Sequence, residues 1–168
     1  MKILVFSDSH SSHRFMRECI ESVKPDAVIH LGDYVRDGDA MKEEFPDLRF
    51  YQVAGNCDRG RVPLDFPEIL IRKIGGAAIY MTHGHLQGVK LYPDKLILDG
   101  QRCNADVILY GHTHEPDCRK LPQGQWLLNP GSAGAYGASA GIILLNGKET
   151  VCRIIRQTDL EEVNDYRG

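Results

Sequence analysis

At 168 residues and 18.8 kDa the chain is long enough to bury a core without staples, so one domain over residues 1–168 is expected. Its 20 Lys+Arg against 23 Asp+Glu leave a formal net charge of −3 with both signs scattered, which excludes a broad nucleic-acid-binding surface but not a small phosphorylated ligand. The five cysteines (Cys19, Cys57, Cys103, Cys118, Cys152) are odd in number, widely spaced and form no CxxC, so neither a disulfide framework nor a thiolate zinc site is suggested and a reducing cytoplasm fits.

In chain order, "KILVF" reads as a first strand, and its apolar run is too short for a signal peptide. "SSHRFMRECIESV" carries Phe15, Met16, Cys19, Ile20 and Val23 at helical spacing and is ended by Lys24-Pro25. "DAVIHLGD" is a second strand, "DAMKEEF" a short helix closed by Pro46, and "LRFYQVAGN" a third strand. "ILIRKI" and "AAIYMTHGH" flank Gly75-Gly76 as a hairpin. A helix near "PDKLILDGQRCN" leads into the strand "DVILYGH". "CRKLPQGQWLLN" and "AGIILLNGKETVCRII" are two further hairpins, the second turning at Asn146-Gly147. The expectation is an α/β protein with a parallel first half and an antiparallel second half, covered by helices and without a membrane span.

Polar residues gather where these strands end. Asp8 with His10, His83 with His85, and His112 with His114 are each two apart, and in an extended segment such residues share a face. Gly32-Asp33 and Gly55-Asn56-Cys57-Asp58 add two more polar tips, and glycines at 32, 55, 84 and 111 permit sharp turns and close approach. Asp, His and Asn are ligands for manganese, iron, nickel or zinc. They are too many for one tetrahedral ion, so two ions sharing a bridging carboxylate are inferred, a pair that clamps the attacking and leaving oxygens in displacement at phosphorus. Four metal charges less Asp8, Asp33 and a hydroxide leave a positive site suited to a phosphate, and the neutral Asn56 cancels none of it.

The ordered motifs "DSH", "GD", "GNCD", "THGH" and "GHTH", with "LLNPGS" after them, resemble the calcineurin-like metallophosphoesterases, most closely their small phosphodiesterase branch. That resemblance implies a four-layer α/β/β/α sandwich with a di-metal site at its rim. By motif position Asp8, His10 and His114 would hold one ion and Asn56, His83 and His112 the other, with Asp33 bridging. A bridging water or hydroxide would attack a phosphodiester in line. The cofactors implied are two divalent ions, manganese first, with nickel, iron or zinc as alternatives. The implied partner is a small phosphodiester, and relatives that form dimers or larger assemblies make a homo-oligomer a further expectation.

Cys57 stands where many relatives carry the histidine thought to protonate the leaving oxygen, and a thiol is an indifferent general acid near neutral pH. Asp58 is expected to orient a ligand histidine or the loop backbone. His85 is placed to touch substrate or replace His83, while His13 and His30 read as structural. Arg36 and Arg59 are candidates for a phosphate oxygen, and "NPGSAGAYGASAG" reads as a flexible connection. The rival function is an interaction scaffold, since a retromer subunit is similar to this branch with an altered site. A carbon–nitrogen hydrolase lacks any supporting motif.

Overall fold

In a computed structural model describing residues 1–60, 66–134, 137–147 and 149–160, the first strand already sets the layering. Side chains of β1 (Lys2–Phe6) alternate between two cores. Ile3 and Val5 enter a cluster with Ile79, Met81, Val107 and Leu109, whereas Leu4 and Phe6 pack against Phe15, Met16, Cys19 and Ile20. These last four belong to helix α1 (Arg14–Val23), which ends where Lys24 turns left-handed ahead of Pro25.

The first sheet has the order β10 (Glu149–Arg156), β9 (Ser139–Asn146), β1, β2 (Ala27–His30), β3 (Arg49–Gln52). The second has the order β4 (Ile69–Ile74), β5 (Ala77–Thr82), β6 (Val107–Leu109), β8 (Trp126–Asn129), β7 (Asp117–Lys120). Helices α1 and α2 (Val35–Glu44) belong with the first sheet, and Met41 of α2 joins its outer cluster. Leu96 of α3 (Asp94–Arg102) packs with Tyr80, Ile108 and Leu127 on the outer face of the second. The result is the expected four-layer α/β/β/α sandwich, with one core between the sheets and one under each helical layer.

Two expectations need correction. The halves do not divide into parallel and antiparallel: β1, β2 and β3 run parallel, and so do β5, β6 and β8, while antiparallel strands flank both sets. The cause is α3, a crossover that returns the chain parallel to β5, and a β7–β8 hairpin that delivers β8 beside β6. The second helix begins at Val35 rather than Asp39, because its amides are capped from outside the segment, as described below. Among the described residues no helix is long and apolar enough to cross a membrane.

Candidate metal centre

The six parallel strands point their C-terminal ends toward one rim, and every candidate ligand lies in a loop just beyond one of them. The loops are not extended. Asp8, His10, Asp33, His112 and His114 have φ of 54°, 47°, 52°, 69° and 63°, the left-handed region that costs a non-glycine residue about 1–3 kcal/mol. Side-chain alternation is therefore the wrong reason for their convergence: tight turns, not pleats, aim the paired residues. His85 likewise sits in a single 3-10 turn, His85–Gln87. Close backbone approach makes the turns possible, since a Cβ on Gly111 would lie 2.0 Å from Ser7 Oγ and one on Gly55 2.2 Å from Asp33 Oδ1.

At the centre is Asp8, fully buried. Its Oδ2 accepts from Ser7 Oγ at 2.6 Å and from the His112 amide at 3.0 Å. Its Oδ1 is buried yet accepts no hydrogen bond. Three imidazole nitrogens face that oxygen: His114 Nε2 at 3.1 Å, His10 Nε2 at 3.9 Å and His83 Nε2 at 3.9 Å. His10 Nε2 and His114 Nε2 also face each other at 3.3 Å.

A second group adjoins the first. His83 Nδ1 is 2.9 Å from Leu31 O, and since a carbonyl only accepts, Nδ1 carries the proton. In the neutral ring Nε2 then presents a lone pair to Asn56 Oδ1 at 3.1 Å and Asp33 Oδ1 at 3.4 Å. His112 stacks edge-on to His83, ring centroids 5.0 Å apart. A cation among them would satisfy both the orphaned carboxylate oxygen and the His83 lone pair, and the sets Asp8–His10–His114 and Asp8–Asp33–His83 are compact enough to hold one. His10 and His114 remain partly open to solvent, so the cluster is buried on the sheet side and accessible on the other.

Residues 1–150 match the calcineurin-like phosphoesterase superfamily domain. The chain belongs to that superfamily. It is 33% identical over 135 residues to the probable metallophosphoesterase YsnB of Bacillus subtilis, covering 79% of this chain and 75% of the relative. It is 30% identical over 152 residues to phosphodiesterase MJ0936 of Methanocaldococcus jannaschii, covering 81% and 86%. The fold superposes on a predicted phosphoesterase of Streptococcus pneumoniae with a TM-score of 0.76 and 27% identity, over 94% of this chain and 90% of that one. The likeness places the chain in the small branch of the superfamily.

In this metallophosphoesterase the charge states follow from packing. Burial opposes a charge on Asp33, but its contacts with His83 and the Cys57 amide, the latter 2.8 Å from Oδ1, prevail and hold it well below the usual carboxylate range. Burial likewise opposes a charge on His83, yet Asp33 and Asp8 raise its basicity above the ordinary value. Burial, His83 and Lys90 together lower His112 to about 4. Cys57 is driven up to about 11 by burial and then by Asp33, so its thiol stays protonated at neutral pH.

The remaining sequence candidates separate by what they touch. Asp58 is buried and orients backbone rather than a histidine: Oδ1 accepts from the Tyr34 and Val35 amides at 2.8 and 3.0 Å, Oδ2 from Gly55 N at 2.8 Å. His85 lies at the rim, its ring centroid 5.5 Å from that of His83 and its Nε2 3.3 Å from an Arg59 nitrogen. Arg59 is bound to Glu68 Oε1 at 3.0 Å, while Arg36 is exposed on α2. His30 is structural as expected, bridging Ser9 Oγ at 3.1 Å and Gly32 N at 3.3 Å.

The stretch after β8 is not a plain flexible connection. Asn129 is fully buried and its Nδ2 donates to Gly111 O at 3.0 Å and Thr113 Oγ1 at 2.9 Å, fixing the turn that carries His112 and His114. Ser132 Oγ donates to Asp8 O at 2.8 Å, and Ala133 N donates to Ser7 O at 2.9 Å. Ala135 and Tyr136 of this stretch lie outside the described residues. The one available clue was Asn-Pro-Gly directly behind an apolar strand, the same strand-end position as the ligands.

Proposed function

We propose that the protein is a phosphodiesterase that uses two divalent ions, manganese first, to hydrolyse a small phosphodiester. The observation that carries this is the buried, unbonded Asp8 Oδ1 with three imidazole nitrogens around it. Asp8, His10 and His114 form one ligand set and Asn56, His83 and His112 the other, with Asp33 between them; short distances support the pairing of His10 with His114 and of His83 with Asn56 and Asp33, and His112 joins the second set by its motif position and a ring 5.0 Å from that of His83. When bound, such a pair of ions supplies charge neutralisation at phosphorus and makes a water acidic enough to attack near neutral pH.

The chain's own residues orient and tune. Leu31 O holds His83 in the tautomer whose Nε2 is free to bind, and the Cys57 amide steadies Asp33 Oδ1. Asn56 adds a ligand atom without adding negative charge, which keeps the loaded site attractive to an anion. Cys57, protonated and weakly acidic, is a poor proton donor to a leaving oxygen. The site therefore suits a diester whose leaving group departs without much help, in preference to a monoester. His85 is offered to substrate rather than to metal, since His83 already occupies the inner position.

The test is hydrolysis of bis(p-nitrophenyl) phosphate beside p-nitrophenyl phosphate, after chelation and re-addition of manganese. Manganese-dependent turnover of the diester, lost in His112→Ala, is expected. Unchanged metal uptake and turnover in Asp33→Asn would overturn the assignment.

A further inference from the structure

A groove of about 650 Å³ runs beside the loop that carries His112 and His114. One wall is the segment after the His85–Gln87 turn, with Val89, Lys90 and Pro93; the other runs from Thr113 through Pro116 to Arg119. Its volume is in the range of about 300–1,000 Å³ typical of small-molecule sites. Thr113, which lines it, lies between two candidate ligands in the sequence. A smaller cavity of about 370 Å³ around Asp106, Gln125 and Thr150 is at the opposite ends of the strands, away from the chemistry.

The charges along the groove are not equivalent. Asp117 Oδ2 accepts from Tyr110 Oη at 3.0 Å and pairs with Arg119 Nε at 3.3 Å, so those two charges offset each other. Lys90 is exposed and makes no ion pair among the described residues, and it stands within electrostatic reach of His112. Arg59, across the rim, is already bound to Glu68. Lys90 is thus the available cation where groove and metal cluster meet, and an unpaired ammonium with three donors is a point receptor for phosphate. Glu115, exposed on the other wall segment, favours hydroxyl donors there and disfavours a second anion on that side.

We infer that this groove seats one ester arm of the substrate, and that Lys90 holds a second phosphate, or an equally anionic group, carried by that arm. The inference rests on the phosphodiesterase reading and narrows its substrate to diesters of a phosphorylated alcohol.

The experiment compares thymidine 5′-(p-nitrophenyl phosphate) with and without a 3′-phosphate on the manganese-loaded enzyme. It is run on wild type, Lys90→Gln, Lys90→Arg and, as a control for net charge, Lys73→Gln on the exposed face of β4. Calorimetric binding of thymidine 3′,5′-bisphosphate against thymidine 5′-phosphate is measured on the same proteins. A preference of roughly tenfold for the extra phosphate is expected in kcat/KM and in Kd, the effect of one charge-assisted contact. It should fall to near unity in Lys90→Gln and persist in Lys90→Arg and Lys73→Gln. Equal kcat/KM and equal Kd in wild type, or a preference that survives Lys90→Gln, would overturn the groove assignment. A binding preference that depends on Lys90, with neither ester hydrolysed, would support the groove and sink the phosphodiesterase reading instead.

Discussion

Among the described residues Asn129 makes no hydrogen bond to a candidate ligand side chain, yet it sets where two of them sit. Its amide ties Gly111 O and Thr113 Oγ1, on either side of His112. Asn129→Ala would leave the buried Gly131 amide, which donates to Asn129 Oδ1 at 2.9 Å, unpaired, at a cost of about 1–3 kcal/mol, and would release the turn. The expected result is a lowered urea midpoint together with weaker manganese binding, read by denaturation and by metal titration. His30 gives a pH signature. It is buried and neutral, with burial lowering its pKa below the ordinary value near 6.5. The unfolded chain therefore binds a proton that the folded chain resists, so His30 leaves stability intact above about 6.5 and erodes it as pH falls below that value. In chelated protein, His30→Gln should flatten the fall in urea midpoint between about pH 6.5 and 5; a curve identical to wild type would show that other groups govern acid stability. The candidate ligands were legible because five of the chain's seven histidines gather just beyond three strands, β1, β5 and β6. Asn129 and Ser132 were not, because a polar residue that positions another leaves no periodic or paired signature in sequence.

At the scale of elements, α2 shows how one carboxylate joins a helix to the site. The Asp58 carboxylate takes the Tyr34 and Val35 amides at the helix start and the Gly55 amide of the loop beside Asn56. A negative charge there satisfies orphan donors and complements the helix dipole. Asp58→Ala should cost about 2 kcal/mol or more and weaken metal uptake, both recovered in part by Asp58→Asn. Loss of metal uptake without loss of stability would assign Asp58 to the metal directly. This external cap is also why the helix start was misplaced. "VRDG" has little apolar periodicity, and its cap comes from a residue more than twenty positions away in sequence, where no local pattern can reveal it. The strongly amphipathic α1, with its Lys24-Pro25 stop, was legible to within a turn because its signals are local.

At the scale of the molecule, the candidate centre is assembled from both sheets: Asp8, His10, Asp33 and Asn56 follow strands of the first, His83, His112 and His114 strands of the second. A cation shared among them would bridge the two layers at their rim, so metal binding and docking of the sheets would reinforce each other. Free ligand at about a hundred times Kd adds about 2.7 kcal/mol to stability. The melting temperature of chelated protein should accordingly climb with the logarithm of added manganese, and Asp8→Asn should abolish the climb. Which strands pair is the part that the chain order hid most. Hydrophobic runs identify strands but not their partners, and β1 lies between β2 and β9, its antiparallel register joining Lys2 to Leu144 and Ile3 to Ile143. That pairing has a consequence for a chain growing on a ribosome. The strand that leads to Asp8 emerges long before β9, its neighbour on one side. Until residues 139–146 appear, β1 keeps one edge unpaired, with a loop closure of long range still to be made. The metal-binding rim is therefore expected to be absent from nascent chains that stop before β9, however many of its ligands have already been synthesised.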